Sequence, residues 1–196
     1  MWSKGEEGAL PAFPPAEIES ADLAGLALEL AQWGADPTTL AFPTQPNSGA
    51  LTEARALLAG LGALDETGRI TAHGRALSAL PLHPRLGHML ALAGKPAATL
   101  AALLAERDPL PRGSGADLSL RLKAIERPGP EAHRGTVERI RLEAKRLEKS
   151  APDVAEVYSK AEMAALAYPD RIGLRRAGDA PRYVLSGGKG AVTDSI

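Results

Sequence analysis

Residues 48–71 read SGALTEARALLAGLGALDETGRIT, and the fold turns on how this stretch divides. Leu51, Ala54, Leu57, Leu58 and Leu61 recur three and four positions apart, which is the stripe of one helix opening at Asn47 or Ser48. Gly60 and Gly62 mark its end. From Ala63 to Thr71, two apolar patches flank a polar turn that ends in Gly68, the pattern of a short β-hairpin. Thr71 can then cap a further helix holding Leu77 and Leu80. Helix, helix, hairpin and helix within so short a span is the content of a winged-helix unit, with Leu57, Leu61, Leu64 and Ile70 in its core. A plain helical domain with a surface turn fits the same residues.

Upstream, Pro11, Pro14 and Pro15 make residues 1–15 irregular. A helix is expected from Ser20, capped there, with Leu23, Leu26, Leu30 and Trp33 on one face and Gly34 as its stop. An extended piece from Thr38 to Phe42 follows, ending at Pro43. Downstream of Pro81 the pattern is helical almost throughout. Pro84 opens a helix with Leu86, Met89, Leu90 and Ala93; Gly94 ends it, and Pro96 starts another with Leu100, Leu103 and Leu104. After a loop at 108–115, a helix from Asp117 carries Leu118, Leu122 and Ile125 up to Pro128-Gly129-Pro130. The longest helix is expected from Glu131 to Ser150, with Val137, Ile140, Ala144 and Leu147 inward. A last one spans Pro152 to Leu166. Ile172-Gly173-Leu174, Tyr183-Val184-Leu185 and Gly187 to Gly190 read as short strands and turns. They are too few to close a sheet, so they suggest the start of a β domain.

The chain of 196 residues has a net charge of −1, which as a whole neither favours nor opposes a nucleic-acid partner. Any such binding requires a local basic face. The absence of cysteine removes disulfides, thiolate zinc sites and cysteine nucleophiles. No apolar run approaches the roughly 20 residues of a membrane span. The pattern is that of a cytoplasmic protein without a membrane partner. Aromatic residues are only 4%, so Leu and Ala must build the core, and packed helices suit that better than sheets. The expected fold class is therefore mainly α.

Motifs of catalysis are missing. A phosphate-binding loop needs a lysine followed by Ser or Thr, yet Gly190 follows Lys189 and Tyr183 occupies the place of the first glycine. No acidic magnesium-binding motif of the Asp-Glu-Ala-His kind is present. His73, His83, His88 and His133 lack metal-ligand spacing and read as structural or surface residues. The basic clusters carry the one functional signal. Residues 134–149 hold Arg134, Arg139, Arg141, Lys145, Arg146 and Lys149 against Glu138, Glu143 and Glu148, a local charge of +3. A second cluster comprises Arg171, Arg175, Arg176 and Arg182, near Lys189. Such side chains can contact phosphates. From spacing alone, a solvated face laced by pairs such as Arg139–Glu143 is the simpler reading of the long helix.

Several stretches together resemble one family. Leu61-Gly62-Ala63-Leu64-Asp65, with Gly68, Ile70-Thr71 and Gly74-Arg75, resembles the wing and following helix of bacterial HrpB-type helicases of the DEAH-box family. Ala79-Leu80-Pro81-Leu82-His83-Pro84-Arg85-Leu86 resembles the junction into their ratchet domain. Trp2-Ser3-Lys4, Leu26 to Gly34, Tyr168-Pro169-Asp170-Arg171-Ile172 and Tyr183 to Ala191 resemble flanking parts in the same order. The resemblance implies a linker from a motor domain over 1–15, a winged helix over 16–81, a helical-bundle ratchet (helicase-associated) domain over 82–168, and the start of an OB-like β domain over 169–196. It also implies an ATP-dependent helicase whose two RecA-like motor domains precede this region, with ATP and magnesium bound there and no cofactor in this chain. Single-stranded nucleic acid, RNA in the first instance, and the motor domains would be the partners. Arg134, Arg139, Arg141, Lys145, Arg146, Arg171 and Arg175 would face the strand. A stand-alone winged-helix nucleic-acid-binding protein is the rival reading, but the helix from Ser48 offers only Thr52, Glu53 and Arg55 for reading bases. A helical protein-interaction module is the other.

Without the parts that position phosphates and magnesium, phosphoryl transfer has no catalyst. The purified chain is therefore expected to show no magnesium-dependent ATPase activity, with or without RNA. Phosphate release that rises with RNA and persists through stringent purification would contradict this.

Overall fold

Short polar caps and left-handed glycines set the helix ends in the computed structural model, which describes residues 13–178 and 180–193. The expected linker before Phe13 and the Trp2-Ser3-Lys4 motif lie outside the described residues. The chain divides into two compact units between Arg75 and Ala76.

In the first unit, α1 (Glu17–Ser20) is a single turn and α2 (Ala24–Trp33) is the first full helix. Leu23 precedes α2 as its N-cap without a side-chain bond, and just before it Asp22 Oδ1 accepts from the Ala24 amide at 2.8 Å. Ser20 therefore ends a turn instead of opening the helix, because the carboxylate two residues on competes for the same role. Gly34 stops α2 in the left-handed region at φ 72°. Trp33, expected on the stripe, is 75% exposed, since α2 buries the Leu23, Ala24, Ala27, Leu28 and Leu30 face. The expected extended piece is instead a 3-10 turn, Pro37–Thr39, nucleated by Asp36 accepting from the Thr38 amide.

α2 packs on α3 (Ser48–Gly60), which Asn47 caps. Gly62, at φ 71°, reverses the chain: Ala63 N donates to Leu58 O and Gly62 N to Ala59 O, a Schellman closure. The hairpin is a minimal one, with a single antiparallel bridge between Leu64 and Ile70. Asp65 organises its turn by accepting from Thr67 N, Thr67 Oγ1 and Arg69 N. The Thr67 hydroxyl first, then the Arg69 amide, hold its carboxyl down at about 2. Thr71 Oγ1 donates to Gly62 O at 2.7 Å and accepts from Gly74 N at 3.0 Å, so one side chain joins the end of α3 to the start of α4 (Ala72–Ser78). Leu58, Leu61, Ala63 and Leu64 are buried, whereas Leu57 and Ile70 are half-buried.

The second unit is built around α6 (Ala98–Ala105, ATLAALLA), which has no charged residue. Ala98, Leu100, Ala101, Ala102 and Leu103 are all buried, so this helix is covered nearly all round. α5 (Pro84–Ala93), α7 (Leu118–Glu126) and α8 (Arg134–Ser150) pack on it, and α9 (Lys160–Ala167) packs on α5. His83 Nδ1 caps α5. The last helix starts at Lys160, not Pro152, because Ser159 and Glu162 form a reciprocal capping box. A 3-10 turn, Pro169–Arg171, leads into an antiparallel sheet of β1 (Gly173–Arg175), β2 (Arg182–Leu185) and β3 (Gly190–Val192) in that order. Leu174 faces Val184, and Tyr183 faces Ala191.

Two outcomes test this account. At Gly74 an added Cβ would lie 2.2 Å from the Ala63 carbonyl oxygen, whereas at Gly25 it would meet nothing within 4 Å. Gly74→Ala is expected to destabilise the protein by about 1–3 kcal/mol in urea unfolding. Gly25→Ala should be neutral or stabilising by up to about 1 kcal/mol. The depressed Asp65 carboxyl adds stability above its ordinary value of 3.8, and loses it as pH falls through about 2. Asp65→Asn should therefore flatten the pH dependence of the urea midpoint between those values, and an unchanged profile would contradict the turn's role.

Candidate nucleic-acid interface

Among the described helices, α8 segregates apolar from polar residues most sharply. Thr136, Val137, Ile140, Ala144 and Leu147 are buried, as the inward stripe requires. The opposite face holds the expected cations, and the structure sorts them into two groups.

Three are engaged. Arg139 donates to Glu106 through Nε and Nη2 and to Thr136 Oγ1. The expected i, i+4 pair with Glu143 does not form, because Glu106 at the end of α6 is within reach and Glu143 pairs with Arg146 at 3.2 Å. The guanidinium of Arg139, followed by the Arg107 amide, keeps the Glu106 carboxyl below its usual range. Arg141 turns toward α7, where Nε and Nη2 donate to Ile125 O at 2.8 and 2.5 Å and Nη2 also reaches Glu126 O. It thereby satisfies carbonyls that the end of α7 leaves open, while Nη1 holds Glu138.

Arg134 and Lys145 are exposed, and no hydrogen bond or ion pair from either is found among the described residues. They stand eleven positions apart on one flank, three turns or roughly 16 Å along the axis. Lys149, one turn on, is likewise exposed. Leu142, between these cations, is 61% exposed.

The second cluster lies beyond α9. Arg171 is in the 3-10 turn with its guanidinium 5.1 Å from the Tyr168 ring centre, and Arg85 approaches the same ring at 5.2 Å. Arg175 is exposed on β1, opposite Tyr183. Between α9 and this turn lies an open trough of about 410 Å³, lined by Ala161, Ala164, Ala165, Tyr168, Arg171 and Ile172. The four α9-side residues fall at i, i+3, i+4 and i+7, a spacing visible in the sequence, although alanines in a helix draw no attention by themselves. Arg85 and Asp170 form a second pairing missed in the sequence. Arg85 donates to both Asp170 carboxylate oxygens and to Ala167 O from a buried position, and its guanidinium holds the Asp170 carboxyl below the ordinary range. Among the described residues no group of His, Asp or Glu is arranged to hold a metal, and no helix is long and apolar enough to cross a membrane.

Comparison with known proteins identifies this architecture. Residues 54–82 match the model of the helicase associated domain (HA2), winged-helix. The chain is 34% identical over 182 residues to the ATP-dependent RNA helicase HrpB of Escherichia coli (strain K12), covering 91% of this chain and 21% of that protein. A crystal structure of the E. coli DExH-box NTPase HrpB superposes with a TM-score of 0.72 at 35% identity, over 98% of this chain and 23% of the other. A structure of the Escherichia coli DEAH/RHA helicase HrpB gives 0.75 at 33% identity, over 98% and 24%. The chain thus spans less than a quarter of the length of these relatives. Over nearly its whole length the chain is similar to the helicase-associated region of HrpB helicases.

Proposed function

We propose that this region serves an ATP-dependent helicase by guiding single-stranded nucleic acid, RNA first, along the polar flank of α8 and past the basic C-terminal sheet. In this reading the motor domains, with ATP and magnesium, are its partners within the same protein. The observation that carries it is Arg134. It occupies the first position of α8, where the helix macrodipole disfavours a cation by about 0.3–1 kcal/mol, and no acid accompanies it in that turn. A phosphate there would relieve both Arg134 and the open amides of the helix end. Lys145 extends the same flank. Contacts of this type hold a strand without reading its sequence. The relatives' printed names, RNA helicase among them, support the choice of partner.

Arg141 and Arg139 are poor sites for testing this, because their removal opens the end of α7 or frees Glu106. The informative variant is Arg134→Glu with Lys145→Glu. Fluorescence anisotropy with a labelled oligo-RNA should show weak binding by the unaltered protein, indifferent to sequence and steeply reduced by salt. In the variant the affinity should fall, and the salt slope should shrink by about 1.4, on the order of 0.7 per lost single-strand phosphate contact. Equal affinities and slopes, at unchanged helical content, would refute the reading. Retention of binding to a protein partner after these changes would then favour a docking role centred on exposed Leu142.

A further inference from the structure

The trough beside α9 has two properties that together select a ligand. Its floor is apolar, with three alanine methyl groups between the Tyr168 ring and Ile172. One wall is cationic: Arg171 lines it against the Tyr168 ring, and Arg175 follows on β1, with Arg176, Arg182 and Lys189 further along the same segment of chain. None of these five forms an ion pair among the described residues, and Asp179 is the only acid in the sequence from 171 to 193. The nearest carboxylate, Asp170, is already held by Arg85. A ligand suited to both features has a flat apolar body and a negative charge beside it. An aliphatic peptide side chain meets the first condition and not the second, and a free phosphate meets the second and not the first.

We infer that this trough receives one nucleobase of a single strand, with the adjoining phosphates on Arg171 and Arg175. The inference rests on the nucleic-acid reading above and deepens it by giving the strand a base-stacking site. Nucleobases stack on tyrosine rings and on guanidinium planes alike, and with little regard to base identity. The Arg171 guanidinium, laid on the Tyr168 ring, offers its outer plane at that wall as the stacking surface. Arg175 lies three residues beyond Ile172 along an extended strand, so its backbone is roughly 10 Å from the trough wall, within the span that a long side chain and a nucleotide can cover together. The hydrogen bonds Ser186 N to Ile172 O and Gly187 N to Asp170 O fix the turn that carries Arg171 against the sheet.

The test compares a labelled oligoadenylate of about ten nucleotides, within the usual site size, with a strand of equal charge in which all bases are removed. The full chain should prefer the base-bearing strand by on the order of tenfold, the scale of one stack. Ala161→Leu fills the trough from an exposed helix position, and should abolish that preference while leaving salt dependence unchanged. Ala165→Leu should act in the same way, so that a folding defect in one variant does not decide the matter. Equal binding of the two strands by the unaltered chain, or full base preference in a well-folded Ala161→Leu protein, overturns the base site and leaves the phosphate reading of α8 standing. No binding of either strand at low salt overturns both.

Discussion

The guanidinium of Arg85 joins the helical core to everything that follows α9. Burying a charge is costly unless it is paired and hydrogen-bonded. Here the side chain, only 10% exposed, meets both oxygens of Asp170, the Ala167 carbonyl at the end of α9 and the face of Tyr168. Asp170 in turn presents its backbone carbonyl to Gly187 N, and Gly187 has no Cβ because one would stand 2.9 Å from that oxygen. Ser186 completes the attachment through its hydroxyl, donated to the Pro169 carbonyl. The sheet is small and largely exposed, so it has little core of its own to hold it. Its place relative to α9, and with it the wall of the trough, depends on this polar chain more than on apolar burial.

The direction in which α8 presents its charges follows from a different constraint. α6 has no polar face, so α8 must cover it with its entire apolar stripe. Rotation of α8 by one residue would turn Ile140 and Leu147 toward solvent and Glu143 or Glu148 into the core, at a cost of about 1.5–3 kcal/mol for each large side chain exposed. The flank bearing Arg134 and Lys145 is thus oriented by the core, not by any interaction of its own. A chain of net charge −1 can in this way display a basic surface locally.

What the sequence made legible were the features with local causes. The cap at Asn47, the closure at Leu61-Gly62, the Thr71 cap and the α8 stripe each follow from residues within one or two turns, and the structure has them as expected. Where two local signals competed, the reading failed: the Asp22 carboxylate, not Ser20, takes the first amide of α2, and the Ser159–Glu162 box displaced the start at Pro152. The partner of Arg139 was illegible for another reason. Glu106 lies 33 residues away and is brought close only by the packing of α6 on α8. The Arg85–Asp170 pair, 85 residues apart, is hidden in the same way.

The ion pairs on α8 also limit which of its cations a strand could recruit. Arg141 makes charge-assisted hydrogen bonds to two carbonyls of α7. Such bonds are worth about 1.5–3 kcal/mol each, and breaking them leaves acceptors at a helix end without a donor. A phosphate offered to Arg141 must exceed that loss before it contributes any affinity. Arg146 has only an exposed i, i+3 pair to surrender, worth about 0.3–0.5 kcal/mol. Arg134 and Lys145 surrender nothing among the described residues. On the proposed reading, a strand would recruit Arg134 and Lys145 first, Arg146 next, and Arg141 last. The arginine that looks most central in the sequence is thus the one most firmly committed to holding two helices together.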